Sequence, residues 1–191
     1  MLDIAVAAAT LTLLTPLFLI VAVLVKCTSQ GPVLFRQRRV GRYGKIFFVM
    51  KFRSMVLSRT RGPLITVSGD SRITVVGSIL RRYKIDELPQ VWNVLIGEMS
   101  LVGPRPEVER YVTGYSPEQR QVLKARSGIT DPASIAYRHE EEMLSSQSDP
   151  EDYYRTIVLP HKLSLNLEYV NNISFRRDVS LILNTIRSIF V

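Results

Sequence analysis

The chain opens with a long apolar stretch. Residues 4–25 contain no charged side chain, and a helix over them would be roughly 33 Å long, about one hydrocarbon thickness. Basic residues follow, which by the positive-inside rule favours a cytoplasmic position for the C-terminal side of the stretch. The arginines among residues 36–42 are expected to lie near lipid headgroups. The basic residues are Lys26, Arg36, Arg38, Arg39 and Arg42.

Thr15 and Pro16 lie in the middle of this stretch. Proline removes one backbone donor and clashes with the carbonyl four residues back, so we expect the helix to kink there. Two topologies are compatible with a kink: a helix that spans the bilayer, and a re-entrant helix that dips into one leaflet and returns. On physical grounds alone the spanning helix is favoured, because proline is tolerated within membrane helices. Both topologies predict membrane association.

Beyond the apolar stretch, the pattern predicts short strands and then helices. Residues 33–35 and 45–50 are β-rich, with turn-like residues 41–44 between them. Residues 58–71 are rich in Gly, Ser, Pro and Arg and predict an exposed loop. An amphipathic helix is predicted next from apolar residues at helical spacing. These are Ile73, Val76, Leu80 and Tyr83.

A second helix is predicted to begin with Asp86 as its N-cap and Pro89 in its first turn. Gly97 is expected just beyond its last residue, where glycine accepts a left-handed conformation. The predicted buried face of this helix comprises Leu88, Val91, Trp92 and Leu95.

The C-terminal half is predicted to be helical. Residues 116–119 have the form of a capping box and predict a helix to about residue 126. Residues 140–142 are three glutamates that we expect on a solvated helix face. Ser174 is predicted to cap the last helix, whose apolar stripe favours core or interface packing over an in-plane membrane position. Another helix begins at Asp149, with core candidates Tyr153, Ile157, Leu163, Leu167 and Val170.

Composition narrows the classes of function. At 191 residues we expect one compact domain, residues 31–191, after a membrane segment and its exit, residues 1–30. The net charge of +8 indicates an anionic partner: a phosphorylated substrate, an anionic membrane surface or nucleic acid. The single Cys27 excludes an internal disulfide, and with only His139 and His161 besides it a zinc cluster is not expected.

The stretch from Arg81 to Glu107 carries the candidate chemistry. Asp86 and Glu87 follow a basic cluster, and carboxylates near several cations suit phosphate chemistry with a divalent metal. At a helix N-terminus near Arg81 and Lys84, we expect Asp86 to be held ionised. By itself, such a pair is more often an ordinary cap beside a solvated acid, since acids are favoured in first turns.

Two neighbouring features add weight to this pair. Prolines on both sides of Arg105 fix its backbone, and the planar guanidinium suits bidentate phosphate recognition. Lys51 follows an apolar run, so its amine either extends to water or binds an anionic partner.

Other chemistries lack their signatures. The sequence contains no G-x-x-x-x-G-K-[ST] loop, no G-x-G-x-x-G, no H-E-x-x-H and no D-x-D triplet. Adjacent carboxylates do not provide the separation of roughly 5–10 Å that glycosidases use. Aromatic residues are not interleaved with the basic runs in a stacking pattern, so no nucleic-acid partner is expected.

Six motifs occur in order: the apolar helix with Thr15-Pro16, and residues 31–37, 51–55, 86–94, 99–107 and 127–130. In these motifs the chain resembles the monotopic phosphoglycosyl transferases, the bacterial sugar transferase family, over nearly its whole length. The resemblance implies an α+β, mainly helical fold. A re-entrant membrane helix broken at Thr15-Pro16 would precede a small cytoplasmic domain with short strands and amphipathic interfacial helices.

The resemblance also implies an activity. A sugar-1-phosphate would pass from a UDP-sugar to a polyprenyl (undecaprenyl) phosphate with Mg²⁺, releasing UMP, as the first membrane step of glycoconjugate assembly. Asp86 would be the nucleophile that forms a covalent phosphosugar. Glu87 would support it and share the Mg²⁺ site with Asp86, and Lys51 is placed to pair with Glu87. The implied phosphate-binding residues are Arg81, Arg105 and Arg138, of which Arg138 rests on spacing alone.

The implied location is the cytoplasmic face of the bacterial inner membrane, in contact with membrane lipids, and a homodimer is one state that the sequence allows. Residues 131–134 depart from the stretch that many relatives carry, which leaves the donor sugar open. A different class of protein remains as the alternative: a non-enzymatic, membrane-anchored adaptor with a basic face. The adaptor predicts tolerance of substitutions at Asp86 and Arg105.

Overall fold

A computed structural model describes residues 2–56 and 65–190. Residues 58–64 of the predicted loop lie outside the described residues. The helices are α1 (Leu2–Thr28), α2 (Val75–Arg82), α3 (Gln90–Leu95), α4 (Glu109–Val112), α5 (Pro132–Ala136), α6 (Glu140–Ser145), α7 (Pro150–Tyr153), α8 (Leu159–Asn171) and α9 (Phe175–Phe190). The strands are β1 (Leu34–Val40), β2 (Ile46–Phe52), β3 (Ser100–Val102) and β4 (Gly128–Thr130). The predicted mainly helical fold with short strands is confirmed.

Three 3₁₀ helices and one π-helical turn complete the described elements. They are the 3₁₀ helices Arg42–Gly44, Ile85–Glu87 and Gln119–Lys124 and the π-helical turn Tyr154–Val158.

Helix α1 packs against the rest of the protein along its whole length. It continues past Pro16, so the proline does not end the helix. Its N-terminal half buries Ala7 in a cluster with the hairpin and α3, and its C-terminal half buries Val21 and Val25 against β2 and α2. The rest of its surface is largely exposed and apolar. Among the described residues, α1 is the helix long and apolar enough to cross a membrane.

Polar contacts fix both ends of α1. Near its start, the Ser100 hydroxyl donates to the Asp3 carboxylate. At its end, the buried Arg53 guanidinium donates to the carbonyl oxygens of Val25 at 3.3 Å and Ser29 at 2.6 Å, and also to that of Pro32. Arginine thereby satisfies carbonyl groups that a helix end leaves without intrahelical partners.

Strands β1 and β2 form an antiparallel hairpin, in which Leu34 pairs with Phe52 and Val40 with Ile46. The predicted turn between them is confirmed. Tyr43 and Gly44 both take left-handed conformations there, with φ of 57° and 77°, and glycine does so without a steric penalty.

Strands β3 and β4 pair in parallel, and two glycines allow the chain beyond them to approach closely. A Cβ atom on Gly103 would lie 2.2 Å from the Arg126 carbonyl oxygen, and one on Gly128 would lie 2.1 Å from the Gly103 nitrogen. The Gly128 N–H also donates to the Pro104 carbonyl at 3.1 Å. The proline-rich turn that carries Arg105 is therefore held against β4.

The C-terminal half differs from its prediction in two segments. The capping box forms, with the Ser116 N–H donating to Gln119 Oε1 at 2.9 Å and the Gln119 N–H to Ser116 Oγ at 3.1 Å. A 3₁₀ helix rather than an α-helix follows it. Ile157 is exposed instead of buried, because the π-helical turn changes the face that this residue presents. Asp149 does cap α7, accepting from the Asp152 N–H at 3.0 Å.

The predictions for the acidic cluster and the last helix are also partly wrong. Glu140 pairs with Lys162 at 2.7 Å and Glu141 with Arg81, so these two glutamates are committed to ion pairs that the sequence pattern did not reveal. Ser174 caps α9 as predicted, with Oγ accepting from the Arg177 N–H at 3.4 Å. The predicted apolar stripe of α9, however, is exposed at Phe175, Val179 and Ile186, so these three residues do not pack in the core, and interface packing stays a prediction.

Candidate active site

Two carboxylates lie in a tight turn between α2 and α3. After α2, Lys84 takes a left-handed conformation (φ 55°), which turns the chain into the 3₁₀ helix Ile85–Glu87. Asp86 lies inside this helix, and Pro89 is the residue that precedes α3. The predicted N-cap position of Asp86 is therefore wrong. Gly97 does follow α3 in a left-handed conformation (φ 81°), as predicted.

Asp86 is buried and partly unsatisfied. It is 5% exposed, and its Oδ1 has no hydrogen-bond partner in the part of the chain that the structure describes. Burial, and then the charge of Glu87, raise the pKa of Asp86 to about 6, against the opposing charges of Lys51 and Arg81. We expected cations and a helix dipole to hold this group ionised. The direction is opposite because loss of water outweighs the neighbouring charges.

Glu87 meets the opposite environment. Its Oε1 accepts from Lys51 Nζ at 2.6 Å and from Arg105 Nη2, and its Oε2 accepts from Arg105 Nη1 at 3.0 Å. Burial would raise the pKa of Glu87, but Arg105 and Lys51 together hold it well below its usual range. The pairing of Lys51 with Glu87, which the resemblance implied, is found. We expected the guanidinium of Arg105 to be available for phosphate, but it donates two hydrogen bonds to the Glu87 carboxylate.

The turn that carries Arg105 rests on β1. Arg39 donates from Nη1 to the Pro106 carbonyl at 3.1 Å and to Glu107 Oε2 at 3.4 Å, and the Val40 N–H donates to the Glu107 carbonyl at 2.8 Å. Arg39 was expected near lipid headgroups, and its guanidinium is bound to the Glu107 carboxylate and the Pro106 carbonyl. A signal was present in the sequence, because Arg39 and Gln37 lie on one side of a strand and Arg36 and Arg38 on the other.

The other two candidate arginines differ in their surroundings. Arg81 is close enough to Asp86 to affect its pKa, and its guanidinium pairs with Glu141 while its Nε is buried without a partner among the described residues. Arg138 is partly buried, and within residues 2–56 and 65–190 no hydrogen bond or ion pair joins it to Asp86 or Glu87.

Asn93 is a site-supporting residue that the sequence pattern did not reveal. It is buried, donates to the Phe48 carbonyl at 2.8 Å and accepts from the Met50 N–H at 3.1 Å, so it fixes α3 against β2. Trp92, predicted to be buried, is 46% exposed instead. Neighbouring helical positions lie about 100° apart, so burying Asn93 turns Trp92 towards solvent.

The whole chain, residues 1–191, matches the family described as bacterial sugar transferase. The chain belongs to the bacterial sugar transferase family. The structure thus shows how one member of this family arranges its Asp-Glu pair: Asp86 is buried, and Glu87 is ion-paired with the proline-flanked Arg105.

Curated relatives in this family carry specific names. The chain is 38% identical to the UDP-N-acetylgalactosamine-undecaprenyl-phosphate N-acetylgalactosaminephosphotransferase of Aeromonas hydrophila, over 98% of the chain and 42% of that protein. It is 37% identical to the UDP-glucose:undecaprenyl-phosphate glucose-1-phosphate transferase of Caulobacter vibrioides, over 98% of the chain and 68% of that protein. It is 39% identical to the exopolysaccharide production protein PSS of Rhizobium leguminosarum bv. phaseoli, over 93% of the chain and 88% of that protein. Against the Aeromonas relative, the chain spans less than half of the length.

The carboxylates differ in what they can offer a metal ion. Within residues 2–56 and 65–190, Asp86 Oδ1 has no partner, whereas both oxygens of Glu87 already accept from cations. No group of three or more Asp, Glu, His or Cys residues that could hold a metal occurs among the described residues. Mg²⁺ is commonly bound by one or two carboxylates together with waters and substrate phosphates. Of the two, Asp86 is therefore the carboxylate that could also hold such an ion.

Proposed function

We propose that this chain is a phosphoglycosyl transferase that moves a sugar-1-phosphate from a UDP-sugar to undecaprenyl phosphate. The observation that carries the proposal is the buried Asp86, whose Oδ1 has no partner among the described residues, beside a Glu87 held by Lys51 and Arg105. The names of the Aeromonas and Caulobacter relatives supply the substrate class. The product would enter polysaccharide or other glycoconjugate assembly.

In the first proposed step, Asp86 Oδ1 attacks the phosphorus that bears the sugar. A bond forms between Oδ1 and phosphorus, the bond from phosphorus to the UMP oxygen breaks, and UMP leaves with that electron pair. In the second step, an oxygen of the lipid phosphate attacks the same phosphorus and the Asp86 carboxylate is released. One difficult transfer is thereby divided into two displacements. A carboxyl with a pKa of about 6 is largely ionised at neutral pH and can act as the nucleophile.

The surrounding residues have separate proposed tasks. Glu87 and Lys51 keep the local charge fixed around the nucleophile, and Arg105, Arg81 and Arg138 bind phosphate oxygens of the two substrates. For Arg105 and Arg81 this requires the guanidinium to exchange a carboxylate for phosphate. Mg²⁺, when bound by Asp86 and the donor phosphates, would neutralise charge on the diphosphate.

We further propose that the protein is monotopic, on the cytoplasmic face of the inner membrane. Both ends of α1 contact the domain, through Asp3 and through Arg53, and a helix of 27 residues is about 40 Å long. If one domain in water contacts both ends of α1, the two ends lie on the same side of the membrane, and α1 cannot cross the bilayer. This supports a re-entrant or in-plane α1, with the exposed apolar face of α9 also against lipid.

The test is release of UMP by purified protein with Mg²⁺, undecaprenyl phosphate and a panel of UDP-sugars. We expect release with at least one UDP-sugar, loss of release in Asp86→Asn, and a mass increase of one phosphosugar on the wild-type protein when the lipid is omitted. The matched control is Asp152→Asn, an exposed carboxylate, which should keep full activity. Undiminished release in Asp86→Asn would exclude Asp86 as nucleophile. No release from any UDP-sugar would favour the membrane-anchored adaptor.

A further inference from the structure

Glu107, a largely buried glutamate two residues after Arg105, connects the candidate active site to a distant part of the chain. Glu107 Oε1 accepts from the Tyr154 hydroxyl at 2.7 Å, and its Oε2 accepts from Arg39 at 3.4 Å and from the Val108 N–H at 3.2 Å. Its side chain is 10% exposed. Hydrogen bonds to a carboxylate in such surroundings are stronger than those between neutral groups.

Tyr154 is the first residue of the π-helical turn between α7 and α8. Its ring is buried in the main apolar cluster, and Lys162 Nζ lies 5.4 Å from the ring centroid. Burial and the nearby Glu107 raise the pKa of Tyr154 far above the physiological range, so the hydroxyl stays protonated as a donor. π-helical turns are rare and often occur at functional sites, and the proposed reaction gives this one no task.

The backbone and the side chain of Glu107 are both held by hydrogen bonds, so the contact with Tyr154 can affect the position of Arg105. Its carbonyl accepts from the Val40 N–H at 2.8 Å, and the Arg39 guanidinium joins its carboxylate to the Pro106 carbonyl. Two prolines leave the intervening Arg105 little backbone freedom. A change in the position of Glu107 therefore moves the guanidinium of Arg105 relative to Glu87.

We propose that Tyr154 is a positioning residue for Arg105, acting through Glu107. The hydroxyl of Tyr154 fixes one carboxylate oxygen, Arg39 fixes the other, and the proline-flanked turn between them holds the Arg105 fork at the angle that binds Glu87 and, on the proposed function, substrate phosphate. The effect on catalysis rests on that proposed function, whereas the effect on the Arg105 geometry does not.

The first measurement needs no activity. In protein reconstituted in detergent, the guanidinium ¹⁵N signals of Arg105, assigned by their loss in Arg105→Lys, should shift or broaden in Tyr154→Phe, which removes the hydroxyl and keeps the ring. The matched control is Tyr111→Phe. That ring lies 5.2 Å from the Tyr154 ring, and its hydroxyl also donates to a carboxylate, Glu151 at 2.9 Å. Arg105 signals unchanged in Tyr154→Phe, or changed equally in both variants, would overturn the proposal.

The second measurement is a double-mutant cycle on UMP release. Tyr154→Phe should lower kcat/KM about tenfold, the effect of one hydrogen bond to a charged group, while Tyr111→Phe changes it less than about twofold. In an Arg105→Lys background, which lacks the bidentate fork, Tyr154→Phe should have little further effect. Additive losses would mean that Tyr154 does not act through Arg105. If the wild type released no UMP, the proposed function would fail while the Arg105 signals still decided the positioning role.

Discussion

Asp86 and Glu87 are adjacent in sequence but meet opposite electrostatic environments. Asp86 is buried with no ion pair to any described residue, and burial raises its pKa to about 6. Glu87 is held between Lys51 and Arg105, which keep its pKa well below its usual range. Separated pKa values in one pair are a common way to give two carboxylates different tasks. In this chain they leave Glu87 as a fixed anion and Asp86 as the group whose charge can change.

The raised pKa of Asp86 predicts a pH-dependent stability in metal-free protein. Its folded pKa of about 6 exceeds the ordinary value of 3.8, so between these values the folded state binds more protons than the unfolded state. The free energy of unfolding should therefore fall as pH rises from about 4 to about 6. Asp86→Asn lacks this loss and should be more stable than wild type at pH 7 by up to about 3 kcal/mol, with the difference vanishing below about pH 4.

Urea unfolding in detergent with a chelator, from pH 4 to 7.5, measures this difference. The exposed Asp152→Asn is the control and should stay within about 0.5 kcal/mol of wild type throughout. A wild-type protein as stable as Asp86→Asn at pH 7 would contradict an energetically costly buried carboxylate.

At the scale of elements, the sequence pattern correctly predicted the turns and helix caps that depend only on residues close together in the chain. The hairpin turn at residues 41–44, the Asp149 and Ser174 caps and Gly97 all follow from local backbone chemistry. The pattern did not reveal features that depend on contacts between distant segments, such as the burial of Asp86. It placed this residue at a helix start because acids are favoured there, whereas Lys84 in a left-handed conformation turns the chain inwards. No local signal predicts that turn, because Lys84 is not a glycine.

Gly77 of helix α2 should tolerate no larger residue, because it packs against the chain just beyond β2. A Cβ on Gly77 would lie 1.9 Å from the Ser54 carbonyl oxygen, so Gly77→Ala must push α2, which carries Arg81, away from the strand. We expect a loss of about 3 kcal/mol in the free energy of unfolding, and lower UMP release. Chemical denaturation of Gly114→Ala provides the control, since the nearest atom there is 3.5 Å away. Equal stability of the two variants would show that α2 does not rest on Ser54.

At the scale of the whole molecule, α1 is part of the core as well as an apolar surface. The sequence correctly indicated a helix of membrane-spanning length, but the spanning topology favoured from length and proline content took no account of packing. Ala7 near one end and Val25 near the other are both buried in clusters shared with the domain. Contacts of that kind arise from residues more than 50 positions away, such as Val94 and Leu80, so hydropathy alone does not reveal them.

The proposed topology predicts which side of the membrane can reach the start of α1. Leu2→Cys, in a Cys27→Ser background, should react with an impermeant maleimide in inverted vesicles and not in intact spheroplasts, because Asp3 lies against Ser100 of the domain. Glu118→Cys, at an exposed position of the domain, is the positive control for the cytoplasmic side. Labelling of residue 2 from the periplasm alone would refute a re-entrant α1.

Lys51 and Arg53 are two residues apart on one extended stretch of chain. Lys51 binds Glu87 in the candidate active site, and Arg53 binds the carbonyls at the end of α1. A distance of about 7 Å along this extended stretch therefore links α1 to the two carboxylates without any intervening loop. If α1 lies at a fixed depth in one leaflet, the two carboxylates lie at a fixed distance from the membrane surface. On the proposed function, the phosphate of the lipid acceptor would lie at that boundary, so this stretch of chain would hold the carboxylates at the level where a membrane-bound phosphate and a water-borne nucleotide sugar meet.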